Sequence, residues 1–95
     1  MYALIRQYDG LDAQMRETAT HKANTELRPI LAKTDGFVSY ELIKPDGKTD
    51  AIASISVFDT RANAEASHKV AGDWVRTNLP SLNPPTRVAG DLVSH

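Results

Sequence analysis

Two extended runs that mix apolar and polar residues, Phe37–Ile43 and Asp50–Phe58, flank the pair Asp46-Gly47. Asp-Gly between such runs is a strong hairpin signal, because glycine takes the positive φ of a tight turn at no steric cost. Pro45 has no N–H to offer a ladder and suits a strand end. Strands are therefore predicted over 37–44 and 50–58. Upstream, Tyr2–Tyr8 is rich in aromatic and branched residues and reads as a first strand. Asp12 is a good N-cap for a helix over 13–33, on which Met15, Ala19, Ala23, Leu27, Ile30 and Leu31 recur at the helical period. Pro29 is expected to kink or tighten its last turn, and Gly36 to close it in a left-handed conformation. Downstream, Asp59 or Thr60 caps a second helix over 61–79 with the stripe Ala64, Ser67, Ala71, Val75 and Leu79, flanked by Trp74. A Pro-rich connector, Pro80–Pro85, leads into a last strand over 86–93.

The order β-α-β-β-α-β predicts an α+β, ferredoxin-like domain over 1–95, with both helices on one face of a four-stranded antiparallel sheet. Alternation divides each strand into two sets. On the third strand the more apolar set, Ala53, Ile55 and Val57, suits the helix side, as do Ala3 and Ile5 on the first. That leaves Tyr2, Leu4, Arg6, Tyr8, Ile52, Ser54, Ser56 and Phe58 on the opposite face. Such a face is too apolar to stand in water, so a second copy of the sheet is expected to cover it and form a homodimer.

Composition narrows the partners. A formal net charge of -1 and a pI near 6.3, with no Lys/Arg cluster, argue against nucleic acid. Cysteine is absent, so disulfides and thiolate metal sites are excluded. No apolar run approaches the roughly 20 residues that span a bilayer, and no signal-peptide pattern opens the chain. No membrane association and a cytoplasmic location are the expectation. The aspartates fall at element boundaries, where capping and turns explain them, and no metal-spaced His/carboxylate pair or phosphate-binding glycine loop occurs. No metal and no cofactor are expected.

Pro29-Ile30-Leu31 leading to Gly36-Phe37 and Tyr40, then Ala53–Phe58, then Ala71 with Trp74-Val75 and Asn78-Leu79, carry a resemblance over nearly the whole chain. In these residues the sequence resembles the dimeric α+β barrel superfamily, in its antibiotic-biosynthesis-monooxygenase-like branch. The resemblance implies two sheets paired into a barrel, with a small-molecule cavity between sheet and helices in each subunit. Some relatives are cofactor-independent oxygenases of aromatic polyketides, and others degrade haem. The Asn on the first strand and the mid-chain Trp of the haem-degrading relatives have no counterpart here, and only His68 lies in the corresponding second helix. The implied activity is monooxygenase-like, on an aromatic or apolar small molecule. The alternative is a binding or accessory module without turnover.

Four residues are the candidates for that chemistry. His68 falls at the edge of the second helix's buried stripe, where its ring turns toward the sheet. It is the candidate catalytic residue, as a base or a ligand anchor, against the plainer reading of a histidine bonded to a neighbouring group. Arg6 could hold an anionic or carbonyl-bearing ligand, but a structural ion pair, with Glu41 or across a dimer interface, is the simpler expectation. Tyr40 and Trp74 are candidate ligand-binding walls, or ordinary core. His21 is expected in solvent and His95 to fray at the chain end.

Overall fold

A computed structural model describes residues 1–94, so the expectation for His95 lies outside the described residues. Strands β1 (Tyr2–Tyr8), β2 (Phe37–Ile43), β3 (Ile52–Phe58) and β4 (Thr86–Asp91) form one sheet in the order β2-β3-β1-β4, with every neighbouring pair antiparallel. The helical arm after β1 is continuous but not uniform: α1 (Ala13–Lys22), a π-helical turn (Ala23–Leu27) and α2 (Arg28–Ala32). The other helix is α3 (Arg61–Asn78). This is the ferredoxin-like α+β arrangement expected from the order of elements. Among the described residues no helix is long and apolar enough to cross a membrane.

The ends of the elements follow their local chemistry. The Asp12 carboxylate accepts the Met15 N–H at 2.7 Å, and the Thr60 hydroxyl accepts the Asn63 N–H at 3.2 Å, so Thr60 rather than Asp59 caps α3. Gly36 takes φ +74 and Gly47 φ +75. Asp46-Gly47 does form a tight turn, with the Lys48 N–H donating to the Pro45 carbonyl at 3.3 Å. That turn sits inside a longer excursion, residues 44–51, rather than joining the strands directly. Pro29 widens the helix instead of kinking or tightening its end. Its ring has no N–H for the Thr25 carbonyl and crowds it, and the turn opens so that the Arg28 N–H reaches back to the Ala23 carbonyl.

Both helical arms pack on one face of the sheet. The larger cluster joins Ala19, Leu27 and Leu31 to Tyr40 of β2 and to Ala71, Trp74 and Leu79. A smaller one joins Leu4, Phe58 and Ala64. Phe37 touches both and meets Phe58 edge-on, at 5.8 Å between ring centroids and 79° between planes.

The expected assignment of faces is inverted. Leu4, Arg6, Ile52, Ser54, Ser56 and Phe58 are buried beneath the helices, with Tyr2 packed beside Phe58 and Tyr8 in the wall of the interior cavity. Ala3, Ile5, Ile55 and Val57 take the outer face, in register with Gly90 and Val88 of β4. Hydrophobicity misled because both sets are largely apolar. What decides the face is room: Phe58 and Leu4 pack against the small residue Ala64 on the buried side of α3, which also carries Ser67 and Ala71. The interface residues expected for a dimer are therefore helix-side residues.

Candidate functional site

A cavity of about 40 Å³ lies between the sheet and the two helical arms. Its walls are mostly apolar: Ala19, Ala23 and Leu27 from the first arm, Ala71, Trp74 and Val75 from α3, and Leu42 and Ile52 from the sheet. The π turn contributes directly, since both of its buried residues, Ala23 and Leu27, are wall residues. Leu82, on the connector between α3 and β4, completes the wall, with its amide donating to the Leu79 carbonyl at 3.1 Å. As it stands the cavity has room for water rather than an aromatic ring, so a guest must displace part of this wall.

Four polar groups face the interior: Arg6 and Tyr8 on β1, Tyr40 on β2 and Ser54 on β3. Register explains the grouping, because Arg6 lies opposite Ser54 and Leu42 lies on the other side of Ser54. Tyr40 is 3 % exposed, and burial pushes its phenol up to about 12, against the pull of the Arg6 charge. Its ring lies under Arg28, with the guanidinium carbon 5.2 Å from the centroid, and Arg28 also donates to the Tyr40 carbonyl. The Tyr8 phenol is likewise raised by burial, in part offset by Arg6.

Arg6 is the unusual member. It is 4 % exposed, yet among the described residues no carboxylate pairs with it. The expected partner, Glu41, stands on the outer face opposite Ile55. Instead Arg6 Nε donates to His68 Nδ1 at 3.1 Å, and Nη2 reaches the same nitrogen at 2.5 Å. The other ring nitrogen, Nε2, lies 2.7 Å from Arg87 Nη1. Burial lowers the His68 pKa below its ordinary value, and the charges of Arg6 and Arg87 lower it further, so the ring is neutral at neutral pH.

Of the residues expected to form a site, Arg6, Tyr40 and Trp74 meet on the cavity. His68 stands behind Arg6 rather than in the wall, and His21 is exposed as expected. Tyr8, Ser54 and Arg87 were not anticipated. Arg87 has a sequence signal only in hindsight, as the second arginine within a strand; its position depends on β1 and β4 pairing so that Arg6 and Arg87 are opposed. Among the described residues no group of three or more His, Asp and Glu could hold a metal ion.

No protein-family model matches the chain, and no curated protein matches its sequence. Solved structures do match its shape. A Nitrosomonas europaea protein described as a candidate antibiotic biosynthesis monooxygenase aligns with 99% of this chain and 100% of its own, at a TM-score of 0.77 and 16% identity. The ActVA-Orf6 monooxygenase of Streptomyces coelicolor, solved with the ligand nanaomycin D, aligns over 99% of this chain and 92% of its own, at a TM-score of 0.75 and 12% identity. The chain has the antibiotic biosynthesis monooxygenase fold. SnoaB of Streptomyces nogalater, a cofactor-independent oxygenase, shares it at a TM-score of 0.70 and 15% identity, over 99% of this chain and 93% of SnoaB. At these identities the likeness is one of fold, and the chemistry of this chain must come from its own side chains.

Proposed function

We propose that this protein binds an aromatic or apolar small molecule in the sheet–helix cavity and oxidises it with dioxygen. One observation carries the reading. In a fold shared with oxygenases, the cavity combines aromatic walls, Trp74 and Tyr40, with a single buried guanidinium, that of Arg6. A guanidinium in a dry site stabilises negative charge developing on a substrate oxygen. Arg6 and Tyr40 then orient the reacting oxygen, and Trp74 supplies apolar contact. His68 enters as a positioning residue that holds the Arg6 fork, since its Nδ1 is already engaged.

The reading is tested with 1-naphthol in an oxygen electrode. One dioxygen should be consumed per 1,4-naphthoquinone and water formed, faster than in buffer, with the rate reduced at least tenfold by Arg6→Met. Uptake no faster than buffer would refute turnover. A binding module without turnover is favoured by one observation, that His68 does not reach the cavity as a free base. Binding of 1-naphthol without oxygen uptake would decide for it.

The working unit in this reading is a homodimer, formed through the helix-free sheet face as first expected, but with a different set of residues on it. Ile5, Ile55 and Val88 align across three strands there, beside Ala3 and Val57, and Val88 is 65% exposed. Stable interfaces bury about 1,200–2,000 Å² in total. Sedimentation should show a dimer at micromolar concentration, and Ile55→Lys a monomer that keeps its helical circular dichroism. A wild-type monomer would end the proposal.

A further inference from the structure

Arg6, Arg87 and His68 form a cluster whose hydrogen bonds cannot all be made. A guanidinium donates and never accepts, and a neutral imidazole offers one lone pair. Here two guanidinium groups converge on the two nitrogens of one ring, Arg6 on Nδ1 and Arg87 on Nε2. Whichever tautomer His68 adopts, one arginine meets an N–H instead of an acceptor. Protonating the ring removes that one acceptor. The strand register compounds the mismatch, since Arg6 and Arg87 are directly opposed in the β1–β4 ladder, where like charges repel. Among the described residues no carboxylate bridges either arginine. Arg6 Nη1 meets no acceptor among those residues, while the side chain is buried and lines the cavity. The cluster therefore lacks one component, an acceptor of negative charge.

We infer that the cationic end of the cavity is an anion subsite, and that the ligand is an organic carboxylate with an aromatic or apolar body. The carboxylate offers four lone-pair positions to donors that now share one, and the fork of Arg6 suits it in two-pronged geometry. The body lies along the apolar wall toward Trp74. Two features favour a carboxylate on an apolar body over a free inorganic anion. Arg6 is reached through the cavity, and apart from Tyr8, Tyr40 and Ser54 the other wall residues are apolar. This deepens the proposed function, and rests on its premise that the cavity takes a small molecule.

Trp74 is the chain's single tryptophan and lines the cavity, so its fluorescence reports occupancy. The protein is titrated with benzoate, benzyl alcohol, acetate and inorganic phosphate, at constant ionic strength. Benzoate should bind at least tenfold more tightly than benzyl alcohol, and neither acetate nor phosphate should compete with it at equal concentration. Arg87→Gln, at an exposed position, should weaken benzoate several-fold and leave benzyl alcohol unchanged. Arg6→Met should bring the benzoate to benzyl alcohol ratio close to one. Equal affinity for the two aromatics in the wild type overturns the anion subsite while leaving the cavity reading intact. Binding of neither aromatic overturns both. Competition by phosphate or acetate as effective as benzoate shows an inorganic-anion site and overturns the ligand class. Should Arg6→Met not fold, an unchanged preference in Arg87→Gln overturns the assignment by itself.

Discussion

Replacing Arg6 with methionine should make the protein more stable. A charge held at 4 % exposure gives up most of its hydration, and the effective penalty for burying an ion is several kcal/mol even after relaxation. Against this stand two N–H contacts that converge on the single lone pair of His68 Nδ1, equivalent to about one charge-assisted hydrogen bond, roughly 1.5–3 kcal/mol. Removing one partner of a buried ion pair ordinarily costs about 3–5 kcal/mol, because the other charge is stranded. Here the partner is a neutral imidazole, which in the variant is free to switch tautomer and accept from Arg87 at Nε2. The balance favours the apolar side chain by about 1–2 kcal/mol, within the range seen when buried charged groups are replaced by hydrophobic ones. In a domain of this size that raises Tm by roughly 5–15 °C. Urea melts and calorimetry at pH 7 measure it directly. A loss of more than about 2 kcal/mol would refute the reasoning, because it would show that Arg6 is a satisfied structural residue.

The charge and packing of the site lead to further expectations. His68 is held below its ordinary value of 6.5 in the fold, so the unfolded chain takes up its proton first as pH falls. Stability should be flat above that value, decline below it, and level off beneath the folded value, and the decline should shrink in Arg6→Met or Arg87→Gln. Tyr40 behaves oppositely: with its phenol raised to about 12, the unfolded chain ionises first, and stability falls as pH rises from 10 toward that value, by up to about 3 kcal/mol. Urea melts of wild type and Tyr40→Phe across pH 9–11 isolate that contribution, which should be smaller in the variant. Gly36→Ala should cost at least about 2 kcal/mol, because φ is +74 and a Cβ there overlaps the Asp59 carboxylate, which accepts from Asn63 at 2.8 Å. A melt unchanged by that substitution would contradict the packing at the start of α3.

The order and extent of the elements were legible because short-range chemistry marks them. Asp12, Thr60, Gly36 and Gly47 act through neighbours within a few residues, and each does in the fold what its type suggests. The faces of the sheet were not legible, and the reason bears on function. On β3, simple hydrophobicity directs Ala53, Ile55 and Val57 inward, whereas the fold directs Ile52, Ser54, Ser56 and Phe58 under the helices and leaves of the first set only Ala53 buried, at the cavity. On β1 the same inversion places Arg6 inside, where a core would exclude it. Alternation assumes that the interior is the less polar side, and it fails when the interior contains a site. The polar residues that mislead the reading, Arg6, Tyr8 and Ser54, are those that face the cavity. Ser56 is the exception. Its hydroxyl is buried without a partner and it is not a wall residue, and nothing in the packing around it explains the choice of serine. Arg87 was illegible for a separate reason, since only the long-range register of β1 with β4 opposes it to Arg6. On the proposed function, the inverted strand pattern and the unmatched guanidinium donors have one origin, a sheet face shaped to meet a ligand rather than to seal a core.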